Sequence, residues 1–548
     1  MRRLLLVLCA LFFCQTQAQG QNSSAKEQHA PQVKESVLRA HLAYLSDDLL
    51  EGRGTGQRGG DLAVEYLETQ AQLSGLQPMF PQQKFPYRQA VKLVGSQTLF
   101  SSRIHFSMSG QNFLPKLGDE ILIGNSNGQS ALNLQAPMVF VGYGVRAAEE
   151  NWDDFKGQDL RGKFLIMLAN DPQPTAEEPD RFAGKAMTYY GRWTYKYEEA
   201  LRQGAAGVLL LHTTESASYG WNVPQTSFSH ERFSLAGAGN TVEGWWKEDS
   251  AREFFKLAGY DLNALRAAAE RRDFRPIAIN AQVNVTMQSQ VRQVEQFNVI
   301  GVVPGTDPQL KHQALVYSAH WDHLGKVEEV GKPVQIWNGA IDNASGTAAL
   351  LAMAQEAVKH PAKRTQIFLW PAAEEQYLLG SLAYVKTPPW PLENTIADLN
   401  LDSMNFAGRT LDIGIAGSER SSLYDTAVTV AKDMHLKIAP SVLDLGGAYF
   451  RADHFNFARV GVPAFNVGSA VFSGDGHFDY EHNHAQSAAK MKHFKEDYHT
   501  PRDRYDPEWD LGGMQQQAQF TFELGYRLAN AKSIPKWRAG DPYGKLRP

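Results

Sequence analysis

From Ser36 to about Leu76 the apolar residues recur at helical spacing. LRAHLAYL comes first; LAVEYLETQAQL follows behind Asp61 as N-cap and ends at Gly75, with the glycine-rich loop EGRGTGQRGG between the two. From about Gln89 to Met287 the texture changes to short β-like runs such as MVFVGYGV and KFLIML, broken by Gly, Asp and Pro. One helical stretch, YKYEEALRQG, feeds GAAGVLLL. This reads as a smaller mixed α/β unit, residues 89–290, inserted into a discontinuous main unit of residues 30–88 and 295–532. After Asn298 apolar strands alternate with helices: ALVYSAH, ASGTAALLAMAQEAVKH, TQIFLW and TIADLNLD, then a long amphipathic helix from about Gly513 to Ala529. Such alternation predicts an α/β fold whose mostly parallel central sheet is covered on both faces.

The first twenty residues, MRRLLLVLCALFFCQTQAQG, set two arginines before an apolar run from Leu4 to Cys14 and small or polar residues ending near Ala18. That pattern predicts a secretory signal peptide over 1–18 and a periplasmic or secreted protein, because the run is too short for a spanning helix. Both cysteines, Cys9 and Cys14, lie inside it, so the mature chain has no thiol for catalysis or metal binding. The 548 residues exceed what one core usually serves, so two or three folding units are expected. A net charge of −5 from 54 basic and 59 acidic residues, with no long run of one sign, excludes a nucleic-acid or anionic-membrane surface as the main business of the chain. Stable membrane insertion is not expected, and a peptide-sized partner is.

In an open parallel sheet the site forms where strands end. ALVYSA runs into His320-Trp321-Asp322, FLWPAA into Glu374-Glu375, and ADLNL into Asp402, while Asp342 directly precedes the helix that starts near Ser345. Imidazoles and carboxylates gathered without thiols suit zinc, and two ions sharing one carboxylate supply both an activated water and an electrophile for amide hydrolysis. Adjacent Glu374 and Glu375 point in different directions, so one can bind metal while the other accepts the proton of water. Asp322 is placed to orient the His320 imidazole through its other ring nitrogen.

HWDHLG, NGAIDNASG, AAEEQYLLGS, LNLDSMN and DYHTPRD, in that order, resemble the successive motifs of the zinc exopeptidase family that contains bacterial secreted leucyl aminopeptidases and the vacuolar aminopeptidase Y. LSDDLLEGRGTGQRGG is similar to the family's amino-terminal segment. The resemblance implies a three-layer α/β/α zinc-exopeptidase fold and two zinc ions per chain. Asp342 would bridge them, His320 and Asp402 would complete one site, and Glu375 and His499 the other. Glu374 would be the general base acting on a metal-bridging water, with Tyr498 a donor to the tetrahedral oxyanion. It also places Asp453 and His454, in YFRADHFNF, in the substrate pocket. Within the insert, VFVGYGV, DDFKGQDLRGKFLIML and GAAGVLLL resemble a protease-associated domain with its core at about 135–287.

The function so implied is an exported di-zinc aminopeptidase acting on peptides with a free amino terminus. The competing readings are a carboxypeptidase of the same family for acidic carboxyl-terminal residues, which needs a cluster of arginines where the sequence offers Arg451, Arg502 and Arg504, a single-zinc glutaminyl cyclase, and a binding protein that has lost its metals. His323, His454, His477, His482, His484 and His493 are read as surface or hydrogen-bonding residues rather than ligands.

Overall fold

The computed structural model of the protein describes residues 29–546 except 109, 238, 329–330, 332, 440–442 and 469–495. The expected signal peptide, both cysteines, His477, His482, His484 and His493 lie outside the described residues.

Four strands of the main unit lie parallel in the order Ala464–Asn466, Thr395–Asn400, Ala314–Ser318, Thr365–Trp370. All are buried almost throughout and read as continuous apolar runs rather than alternating ones, as strands covered on both faces do. Their side chains alternate between two cores. Leu315, Tyr317 and Phe368 pack with Leu38, Leu42 and Leu350, from the helices Glu35–Leu45 and Ser345–Lys359, and with Phe522 of Gly512–Asn530. Val316, Ile367 and Leu369 pack on the other face with Tyr384 and Phe457, from the helices Leu379–Lys386 and His454–Ala458. The three layers predicted from the sequence are therefore present.

Val299–Val303 closes the parallel block with an antiparallel edge against Thr365–Trp370. It is the end of a 27-residue strand, Ile277–Val303, that also enters the sheet of the inserted unit. There residues 277–288 pair with Ala131–Phe140, which leads through the parallel strands Phe164–Leu168, Gly207–His212 and Glu243–Lys247 to an antiparallel edge, Ile121–Gly124. The inserted unit has its own core, in which Phe106 stacks on Trp246 with ring centroids 4.4 Å apart. The boundary drawn at residue 290 thus falls inside a strand. Residues 289–299 continue the ladder against Arg88–Thr98.

The amino-terminal segment differs from expectation in one detail. Helix Arg58–Ser74 starts three residues before Asp61, which sits in its first turn instead of capping it. Gly59 and Gly60 permit this: a Cβ on Gly59 would fall 2.0 Å from the Leu50 carbonyl oxygen, and one on Gly60 3.2 Å from the Trp321 ring. In helix Glu35–Leu45, the His41 ring is buried with Nδ1 2.8 Å from the Tyr66 hydroxyl.

Burial pulls His41 from 6.5 down to about 4. Above pH 6.5 both the folded and the unfolded chain carry it neutral, and its contribution to stability is complete. As pH falls from 6.5 toward 4 the unfolded chain takes a proton that the folded one refuses, so this stability is lost, on the order of 3 kcal/mol. We expect the fall in thermal midpoint between pH 6.5 and 4 to be shallower in His41→Gln than in the wild type; parallel curves would exclude this residue as an acid-sensitive point.

Candidate metal centre

The arms that carry His320, Asp342, Glu374, Glu375 and Asp402 follow the end of a parallel strand or precede a helix. His320 stands two residues beyond Ala314–Ser318, Asp402 two beyond Thr395–Asn400, and Glu374 and Glu375 four and five beyond Thr365–Trp370. Asp342 lies in the turn before helix Ser345–Lys359, and the Asp342–Asn343 peptide is cis. Ala373, Ser403 and His499, each a ligand candidate or its neighbour, hold positive φ at 53°, 60° and 52°. Left-handed backbone at non-glycine residues costs energy and is kept where surrounding contacts fix it, here on three separate arms.

Those contacts are specific. The Arg53 guanidinium, 1% exposed, donates to four carbonyl oxygens: Leu45 at 2.5 Å, Asn338 at 2.6 Å, Trp321 at 2.7 Å and Gly339 at 2.9 Å. It ties the glycine-rich loop to the two segments that carry His320 and Asp342. Asp503 accepts from the backbone N–H of Ile341 at 2.9 Å and of Asp342 at 3.1 Å. The Asn343 amide donates to Leu401 O at 2.9 Å, and its Oδ1 accepts from Ser403 N at 3.3 Å, tying the Asp342 turn to the Asp402 loop. Asp322 accepts from the backbone N–H of Glu374 at 3.0 Å and of Glu375 at 3.3 Å. Its carboxylate stands 3.7 Å from His320 Nδ1, whereas its own carbonyl oxygen lies 3.2 Å from that nitrogen. The imidazole is therefore oriented by the Asp322 main chain, and the side chain fixes the glutamate pair.

His320 Nε2 is buried without a hydrogen-bond partner and faces Asp342 Oδ1 at 3.3 Å, Asp402 Oδ1 at 3.4 Å and Glu374 Oε2 at 3.8 Å. His499 Nε2 lies 3.0 Å from Asp342 Oδ2 and 3.2 Å from Glu375 Oε2. Bonds of the length found for tetrahedral zinc set neighbouring donor atoms roughly 3.3 Å apart. The two carboxylate oxygens of Asp342 thus face two different histidines, at separations that suit two ions. Two groups of donor atoms, those of His320, Glu374 and Asp402 and those of His323, Asp342 and Glu375, each lie within 4.8 Å of one another.

Electrostatics agrees with a site built for cations. Burial pushes Glu374 well above the usual carboxylate range, and Asp402, Glu375 and Asp453 push the same way. Burial also works to raise Glu375 and Asp342, but His499 and His323 beside the first, and His320 and His499 beside the second, hold both low, Glu375 at about 2. Burial alone would lower His320; Glu374 and Asp402 outweigh it and raise the ring well above 6.5. Several carboxylates withdrawn from water into one space need positive charge among them.

The structure brings together all six residues that the sequence singled out, and adds a seventh. His323, read from the sequence as a surface or hydrogen-bonding residue, is buried with Nδ1 2.7 Å from Glu375 Oε1 and its ring 5.6 Å from that of His499. Its only sequence signal is a position three residues after His320. Tyr498 stacks on His499 at 3.9 Å and is 41% exposed at the rim, while its hydroxyl is desolvated near Asp342 and Glu375. Asp453 and His454 present no surface to a peptide here: Asp453 accepts from Ser381 Oγ at 2.5 Å, and His454, fully buried, packs on the Tyr449 ring at 4.8 Å.

Residues 298–523, the span that carries every one of these arms, match peptidase family M28. This segment belongs to that family. The chain is 26% identical to aminopeptidase YwaD of Bacillus subtilis (strain 168) over 365 residues, covering 64% of this chain and 62% of that protein. Leucine aminopeptidase 1 of Chaetomium globosum is 28% identical over 250 residues, 43% of this chain and 53% of its own. The chain thus spans less than two thirds of the length of these curated relatives. Around the M28 segment the whole fold is similar to the solved aminopeptidase from Aneurinibacillus sp. strain AM-1, with 18% identity, 92% of this chain and 96% of that one covered, and a TM-score of 0.50; this is a likeness of fold.

Two substitutions test how the M28 segment holds its ligands. Arg53→Met leaves four buried carbonyls short of a donor and is expected to cost on the order of 3 kcal/mol, read as a lower thermal midpoint; a midpoint within a degree of wild type would refute the tie. Asp322→Ala frees the two glutamate N–H groups and should weaken metal binding about 10- to 100-fold in a competition titration with a chromogenic chelator.

Proposed function

We propose that the chain is an exported metallo-aminopeptidase that removes amino-terminal residues from peptides and holds two zinc ions. The observation that carries this reading is Asp342, whose two oxygens face His320 on one side and His499 on the other. His320 and Asp402 complete the first set of ligands, and Glu375 and His499 the second, with His323 bracing Glu375. The M28 match and the aminopeptidase names of the relatives support the reaction class, and the leader-like amino terminus supports export. Among the described residues no helix is long and apolar enough to cross a membrane. The inserted unit is best read as a protease-associated domain.

Zinc, when bound, would polarise the scissile carbonyl and lower the pKa of the attacking water. Glu374 has the environment of a proton carrier: burial and neighbouring carboxylates raise its proton affinity, so it can take the proton of the attacking water on a carboxylate oxygen and deliver it to the leaving amine. Tyr498, stacked on His499 at the rim with Asp342 and Glu375 acting on its hydroxyl, would donate to the oxyanion of the tetrahedral intermediate. The surplus of carboxylates gives a free amine a favourable place to sit.

In Glu374→Gln the rate on aminoacyl substrates should fall about 10²- to 10⁴-fold while elemental analysis still finds two zincs per chain. Wild type should cleave peptides with a free amine and spare their acetylated counterparts. Cleavage of amino-blocked peptides from an acidic carboxyl end would replace this reading with a carboxypeptidase, and protein without metal or turnover would make it a binding protein.

A further inference from the structure

The inserted unit reaches the glutamate arm directly. At the start of its helix Trp193–Arg202, the Trp193 ring meets the Tyr377 ring edge-on at 4.5 Å, and Tyr377 is two residues past Glu375. Gln376, between them, accepts from Phe233 N of the inserted unit at 3.3 Å.

Arg192, the residue before Trp193, is 9% exposed and crosses the same seam. It donates through Nη1 to Gly446 O at 3.0 Å, while its Nε is buried with no partner. Gly446 precedes the short turn Ala448–Phe450, and Arg451 follows that turn with an exposed side chain. The two guanidiniums are near enough to repel: burial first, and Arg451 next, pull Arg192 down to about 10. Tyr219 of the inserted unit feels both charges and Tyr377, and Arg451 also acts on the Tyr498 hydroxyl beside Asp342 and Glu375. Asp444, the carboxylate whose charge acts on Arg192, is engaged by the backbone N–H of Gly446 at 3.2 Å and of Tyr449 at 3.4 Å. Among the described residues neither arginine has a carboxylate within salt-bridge distance. A desolvated cation short of partners beside a second cation is unfavourable unless an anion joins them.

We propose that Arg192 and Arg451 form a carboxylate subsite across the seam between the two units, which selects peptides bearing a carboxylate beyond the scissile bond. The carboxylate is either the carboxyl terminus of a di- or tripeptide or an acidic side chain next to the cleaved residue. Guanidinium groups suit either, since their paired N–H donors match the two oxygens. The inference rests on the aminopeptidase reading: the amine lies among the site carboxylates and the anion against the arginines, so the peptide is oriented by its own dipole.

The test uses the full zinc-loaded chain and pairs of peptides. Leu-Gly and Leu-Gly-Gly are compared with their carboxyl amides, and Leu-Asp-Gly-amide with Leu-Asn-Gly-amide, in wild type, Arg451→Gln and Arg192→Lys. Because Arg451 is exposed, its variant should fold. The expected wild-type result is an acid-to-amide ratio in kcat/KM of about tenfold or more, mostly through KM, falling to near one in Arg451→Gln. Preference in the first pairs alone identifies a terminal carboxylate, and in the last pair alone an acidic side chain; each supports the subsite. Ratios near one in wild type, or a tenfold ratio that survives in both variants, overturn it while aminopeptidase activity stands. No cleavage of any peptide in the panel overturns the aminopeptidase reading and the subsite with it.

Discussion

Arg53 gives one guanidinium to carbonyl oxygens from the first helix, from the loop after strand Ala314–Ser318 and from the turn before helix Ser345–Lys359. None of these stretches has its carbonyls met by regular structure at that point, and buried backbone oxygens need a donor. Burial lowers the guanidinium to about 10, opposed by the surrounding Asp503, Asp322, Asp342 and Glu375. The cation thus does two things: it fixes the loops, and it sets a positive charge among these buried acids. The rest of the centre follows from that anchoring. With the His320 and Asp342 segments held, Asn343 ties in the Asp402 loop and Asp322 the glutamate pair.

Parallel strands made this site readable in the sequence. Where an apolar run of five or six residues stops, the next polar side chain is held rigidly at the sheet edge, and His320, Glu374, Glu375 and Asp402 all stand within five residues of such a stop. Residues whose role depends on a partner far along the chain left no such trace. Arg53 lies in EGRGTGQRGG, where the glycines dominate any local reading, and its four acceptors are up to 286 residues away. His323 follows a loop with no periodicity, so only its position against Glu375 distinguishes it from the other histidines. Arg192 belongs to a unit with its own core, and its significance arises at the seam. The extent of the strand after Met287 was hidden for a related reason: it is polar on one side, and polar alternation resembles a linker unless the partner strand is known.

The inserted unit is bound into the catalytic arrangement at two levels. Trp193 and Phe233 touch the two residues that follow Glu375, so the glutamate arm is supported from one side by Asp322 and from the other by the insert. Charge is distributed in the same sense, with carboxylates gathered at the strand ends and the two guanidiniums at the seam. A short peptide carries the opposite charges at its two ends.

Strand Ile277–Val303 also bears on how modular this architecture is. Its first half pairs with the insert, its middle with Arg88–Thr98, and its end with the parallel block. Cutting the chain at either end of the insert would strand half of this ladder, leaving an open row of amide and carbonyl groups on each piece, the kind of edge that recruits a second chain. The two units are therefore grafted rather than strung together, and they share a fate in folding, in proteolysis and in any evolutionary attempt to exchange one without the other.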